Sequence, residues 1–357
     1  MAATTIDPAD RPLGRISPRQ IIVLVVASAA MVAGLLVIAP ALADLPDVWS
    51  KLSTGHLGWL LFALVLQVAS FVGHAVLLRA VLVDGGSSRI GLRASTEITL
   101  AGHAATRLFA SAGAGGIALT AWALRKSGME ARDVAARMTT FMVLLYAVYM
   151  GALLFGGLGL YTGVIAGGGS FAMTIIPALF GAVVIALVAS AQLVGPGESR
   201  LRRWLAPVGQ GVRDARRLLR RGNAGLVGAL MWWAFDIACL WACFEAFGHS
   251  PAVGVLVVGY FVGMLANTLP LPGGVGGVDG GMIGAFIAFG VDPAGAIVAV
   301  LAYRFFAFWL PIAPGAVSFA TLRRTVAKWE AEDAGAPVLA RPARERTPRG
   351  ALCHQYS

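Results

Sequence analysis

The sequence predicts an all-α polytopic membrane protein, and three observations carry that reading. Hydrophobic residues make up 58% of the 357 residues and charged residues 13%, with a mean hydropathy of +0.77. A soluble domain runs near one quarter charged. Several apolar runs reach the length of about 20 residues that a helix needs to cross a hydrocarbon core of ~30 Å. The basic residues also collect in alternate loops, as the positive-inside rule requires.

Six full spans are expected, at about 21–43, 57–82, 134–161, 171–194, 223–247 and 294–320. The first could be mistaken for a cleaved signal, because Ala41-Leu42-Ala43 resembles a signal-peptidase site. Its apolar region exceeds the about 7–15 residues of such signals, so it is read as an uncleaved span. Two more segments, 95–128 and 253–289, are apolar but interrupted by glycine-rich centres. Each is expected to be either a helical hairpin that enters and leaves on one side or a pair of short spans. Both options preserve the parity of the topology.

In that topology 23 of the 28 Lys and Arg fall on one side. They precede span one, follow span two and the first broken segment, fill 200–221, and follow the last span. The opposite side holds Lys51 among Asp44, Asp47 and Asp292. Both termini are therefore expected in the cytoplasm, and the net charge of +10 needs no nucleic-acid partner. Residues 1–20 form a cytoplasmic lead-in, 21–322 the membrane domain, and 323–357 a cytoplasmic, disordered tail. The stretch 198–222 repeats apolar residues at helical spacing among eight arginines. It fits either an amphipathic helix on the cytoplasmic leaflet or a solvated basic loop.

The two broken segments look like copies of one another. With an offset of 161, Gly102 falls on Gly263, Ala105 on Ala266 and Leu108 on Leu269, and Gly113, Gly115 and Gly116 fall on Gly274, Gly276 and Gly277. Three full spans lie between them, so the second copy enters from the opposite side. Broken helices related by inverted topology are a transporter signature, with the substrate site near the midplane between the repeats.

Ionisable residues at membrane depth are functional candidates by default. Arg304 lies about 10 residues into its span, ~15 Å deep, and Arg107 and Asp236 lie ~18–20 Å along theirs. Asp279 follows the second glycine turn. Arginine keeps its charge, so Arg107 and Arg304 need anions or water. Two readings stay open: internal pairs with Asp236 and Asp279, or an arginine facing a cavity and binding an anionic head group. Asn267, Pro272, Gly273, Gly274 and Gly276 around the second break, with Gly115 and Gly116 in the first, are candidate substrate-lining positions. His74 and His103 read as satisfied core histidines, Gln67 as interhelical glue, and Cys239 and Cys243 as small core residues. The pairs Gly273 with Gly277 and Gly280 with Gly284 fit close helix packing. There is no P-loop, dinucleotide fingerprint, nucleophile triad or metal-ligand spacing, so no cofactor, metal or catalytic residue is expected.

The run LPLPGGVGGVDGG, followed by AFGVDPAGAIVAVLAYRFFAFWLP, resembles the transmembrane region of the lysylphosphatidylglycerol synthase family, the flippase-like domain. The residues that carry it are Pro272, Gly273, Gly274, Gly276, Asp279, Tyr303, Arg304 and Pro311. The first repeat, with AGAGGIALTAWALRKSGM, is similar to an earlier glycine motif of that family. Two positions depart from the pattern: Asp279 where glutamate is commoner, and Ser111 where proline is frequent. The soluble aminoacyl-transfer half is not matched, so lysyl transfer is not carried over. The resemblance implies a plasma-membrane lipid translocase for polar or anionic head groups, and not an enzyme. Two rivals stand beside it: an enzyme or accessory factor in lipid-linked glycan or envelope-lipid metabolism, and a non-transporting scaffold. Membrane lipids are the expected partners, with a homo-oligomer or envelope proteins left open.

Overall fold

A computed structural model of the chain describes residues 54–83, 89–108, 114–193, 200–248, 250–265 and 276–335. The first expected span and the calls on Asn267, Pro272, Gly273 and Gly274 lie outside these residues. The described residues are helical, with no strand among them. In chain order the helices are α1 (Leu57–Val83), α2 (Leu92–Leu108), α3 (Ala114–Lys126), α4 (Ala131–Thr162), α5 (Phe171–Ala191) and α6 (Arg200–Arg220). After a 3-10 turn at Ala224–Leu226 come α7 (Val227–Ala246), α8 (Val253–Leu265), α9 (Gly277–Ala288) and α10 (Pro293–Arg304). A π-helical turn, Phe305–Trp309, then leads into α11 (Ile312–Gly335).

Five helical stretches are long and apolar enough to cross a membrane: Leu57–Leu82, Ala131–Thr162, Phe171–Ala191, Ala224–Ala246 and Pro293–Gly335. They coincide with the five expected spans that fall in the described residues. Each is strongly apolar on average, as a membrane-crossing helix must be. On α1, Leu61, Val65, Val68 and Val72 form an exposed stripe at helical spacing. The opposite face buries Ala63, Gln67, Ser70 and Leu77.

Small residues let α1 and α7 cross closely. A Cβ on Gly228 of α7 would sit 2.4 Å from the Gly73 carbonyl oxygen of α1, so only glycine lets these backbones meet. Helix starts follow ordinary capping chemistry. Asp292 accepts from the Gly295 amide at 2.8 Å ahead of Pro293, and Asn223 accepts from the Gly225 amide at 2.9 Å. The long α4 stops at Gly163, whose φ of 74° only glycine adopts without strain.

Both glycine-interrupted segments are helical hairpins. α2 packs back on α3, and α8 on α9. Within the described residues α8 and α9 cover 13 and 12 residues, and both are apolar. α6 is a regular helix, so the solvated-loop reading of 198–222 is corrected. Its buried face, Val212, Ala215 and Leu218, packs toward α4. The expected tail boundary also moves. α11 runs to Gly335, with Leu322, Val326 and Trp329 buried and ion pairs Lys126–Glu330 (2.7 Å) and Arg89–Asp333 (2.6 Å) alongside. Residues 323–335 therefore belong to the helical body.

Candidate functional site

The second hairpin resumes at Gly276, which has a φ of +80°. Its amide donates to Asp279 Oδ2 at 2.9 Å. Asp279 thus caps the first turn of α9, where the helix dipole favours an anion. Its other oxygen, Oδ1, is ion-paired with Arg304 Nε, both side chains being about nine-tenths buried. One carboxylate therefore holds the turn and the arginine together. Arg304 closes α10, so the pair joins α9 to α10 on the C-terminal side of the second break.

Asp236 is satisfied differently. It accepts hydrogen bonds from Gln67 Nε2 (2.8 Å), from the Tyr303 hydroxyl (2.6 Å) and from the Tyr260 hydroxyl. Three donors from α1, α10 and α8 thus converge on one buried carboxylate of α7. An internal pair of Arg107 with Asp236, within one of the two readings left open, is not made among the described residues. Depth along a helix put them at one level; rotation about the helix axes decided which groups meet. Gln67 is interhelical glue as read, and its partner is this acid.

Arg107, in the last turn of α2, has no carboxylate partner among the described residues. Its Nη2 donates to the Ala307 carbonyl at 2.5 Å. Ala307 lies in the π-helical turn, a device frequent at functional sites. The Arg107 guanidinium lies 5.4 Å and that of Arg304 4.6 Å from the centre of the same ring, Phe308. Cation–π attraction offsets part of the cost of desolvating them. Arg107 Nη1 and Arg304 Nη2 have no hydrogen-bond partner among the described residues. Each of these two cations sharing one ring has donor capacity left over, of the kind an oxyanion accepts from.

Beside Arg107 lies an aromatic box. His74 and His103 meet with ring centres 4.7 Å apart, and His103 stacks on Trp232 at 5.0 Å. His74 Nδ1 and His103 Nε2 lack hydrogen-bond partners among the described residues. The expectation of fully satisfied core histidines is corrected: they pack by their rings, each with a ring nitrogen unpaired. The described residues contain no group of three or more His, Cys, Asp or Glu that could hold a metal. Cys239 and Cys243 are buried free thiols, as expected of core residues.

Gly115 and Gly116 open α3. A Cβ on Gly116 would lie 2.6 Å from the Gly102 carbonyl oxygen of α2, so this glycine sets the tightness of the first hairpin. Gly263, the counterpart of Gly102, plays that part in the second, where a Cβ would fall 2.7 Å from the Met282 backbone. Gly280 and Gly284 are different. A Cβ there would meet nothing within 4 Å, so the expected close packing through this pair is not made among the described residues. Tyr260 and Phe308 were missed by sequence reasoning. Phe308 had a signal, since it stands one helical turn after Arg304; Tyr260 sat unmarked in an apolar run. Clefts of about 380, 400 and 470 Å³ open elsewhere on the molecule.

Comparison with known proteins places this architecture. A family model described as "Lysylphosphatidylglycerol synthase TM region" matches residues 20–315. Two relatives, each named "UPF0104 membrane protein" from Methanothermobacter thermautotrophicus, are 33% identical over 95 residues and 31% identical over 104 residues. Those matches cover 26% and 28% of this chain, and only 27% and 31% of the relatives' own length. The chain belongs to the lysylphosphatidylglycerol synthase transmembrane-region family, and it is a multi-pass membrane protein.

Proposed function

We propose that this member of the lysylphosphatidylglycerol synthase transmembrane-region family moves lipids with polar, anionic head groups between leaflets, without catalysing their chemistry. The observation that carries the reading is the buried guanidinium pair, Arg107 and Arg304, sharing the Phe308 ring with a nitrogen left over on each. Two uncompensated donors at membrane depth are costly unless an anion visits them. A head-group phosphate has the charge and the acceptor geometry to do so.

The two hairpins are read as inverted repeats flanking the path. Three spans, α4, α5 and α7, separate them, which reverses the entry side of the second. Asp279 keeps Arg304 aimed, and Asp236 balances the field of the two arginines. The distribution of basic residues supports cytoplasmic termini, and the family resemblance supports the plasma membrane.

Reconstitution into liposomes with fluorescent anionic, zwitterionic and lysyl-modified lipids tests the reading. Leaflet exchange is expected to accelerate for anionic lipid and to fall to background in Arg304→Ala and Arg107→Gln. Unaccelerated exchange with all three lipids, or wild-type rates in both variants, overturns it.

A further inference from the structure

One strongly charged feature plays no part in the buried cluster. α6 is clamped against the end of α5: Arg213 donates to the Gln192 carbonyl at 3.0 Å, and Arg216 donates to the Gln192 side-chain oxygen at 2.9 Å. Glycines bring it close on both sides. A Cβ on Gly209 would lie 2.4 Å from the Ala191 carbonyl oxygen of α5, and one on Gly211 would lie 2.7 Å from the Thr139 methyl of α4. α6 is therefore docked, and its Arg217 stands beside the start of α4.

Between the two helices opens a cleft of about 470 Å³. Arg132 and Arg137 from α4, Arg217 from α6 and Arg221 just after it line the cleft against two carboxylates, Asp133 and Asp214, and Arg137 also donates to the Val81 carbonyl at 3.3 Å. Asp214 is already engaged: Gln210 Nε2 donates to it at 3.0 Å, and Arg217 lies 3.5 Å away. The cleft keeps an excess of positive charge. The other two clefts differ. One is an apolar groove beside Trp233 and Trp241, and the other carries Asp292 as its charged side chain. Its volume lies within the range of ligand pockets, about 300–1,000 Å³. Leu219, one residue from Leu218, is exposed beside the arginines and gives α6 an apolar foothold at the same level.

We propose that this cleft is a second lipid site, which holds the phosphate head group of an anionic phospholipid from the adjoining leaflet. Basic pockets between helices at a membrane surface take such head groups, and a free phosphate ion would make no use of Leu219. The site is separate from the buried guanidinium pair. It anchors α6, and through it the ends of α4 and α5, to anionic membrane.

The test uses full-length protein in detergent, delipidated and then given short-chain phosphatidylglycerol, short-chain phosphatidylcholine or inorganic phosphate. Bound lipid is counted by native mass spectrometry, and unfolding is followed by heating. Phosphatidylglycerol is expected to be retained and to raise the melting temperature more than either other probe. Arg217→Gln with Arg221→Gln should weaken retention roughly 5-fold per arginine removed. Asp133→Asn should strengthen it by a similar factor. The same loss should appear in an Arg107→Gln background, which separates this site from the buried pair. Equal retention of the two lipids, wild-type retention by the double variant, or equal stabilisation by inorganic phosphate overturns the proposal.

Discussion

The two hairpins share a backbone plan and differ in charge. α2 and α3 close around Gly102 and Gly116, and α8 and α9 close around Gly263. The first break is preceded by a cation, Arg107, in the last turn of α2; the second is followed by an anion, Asp279, in the first turn of α9. Each charge suits the dipole of the helix end that bears it. Their partners separate them. Asp279 has an arginine and an amide, whereas Arg107 has a carbonyl and a ring. The charge of the second hairpin is therefore spent on tying it to α10, and the first carries a charge that still has capacity to bind.

Substitutions at that tie should cost most stability. Arg304→Ala leaves Asp279 buried without its cation and should destabilise by about 3–5 kcal/mol, read as loss of unfolding free energy in detergent. Next comes Asp236→Ala, which strands three donors and should cost about 3 kcal/mol by the same assay. Gly116→Ala should follow at about 1–3 kcal/mol, since the added methyl meets backbone across the first hairpin. Arg107→Gln sharpens the contrast: about 1 kcal/mol of stability, with lipid exchange abolished. A stability cost equal to that of Arg304→Ala would erase the distinction between tying and binding charge. The smallest effect should come from Gly280→Ala. With open space around it, α9 should gain up to about 1 kcal/mol, and unchanged exchange would separate this glycine from those at the hairpin contacts.

Much of the fold was legible, because hydropathy and glycine placement are local properties. The hairpin ends fell within a few residues of expectation, since glycines interrupt helices wherever they cluster. The end of α11 was less so. Leu322, Val326 and Trp329 recur at helical spacing, but the charged and alanine-rich composition around them read as a tail. The site was half legible. The proximity of Asp279 to Arg304 could be anticipated from depth and motif. The partners of Asp236 could not, because hydroxyls from Tyr260 and Tyr303 reach it from two other helices.

The sequence by itself determined a multi-pass helical chain, two interrupted segments and the residues that carry charge into the membrane. Those follow from transfer energies and backbone preferences that each residue brings wherever it stands. Only the tertiary structure decided which charges are spent on one another. That depends on the rotation of each helix about its axis, which glycine contacts such as Gly73 with Gly228 fix, and which leaves Arg107 with a nitrogen to spare.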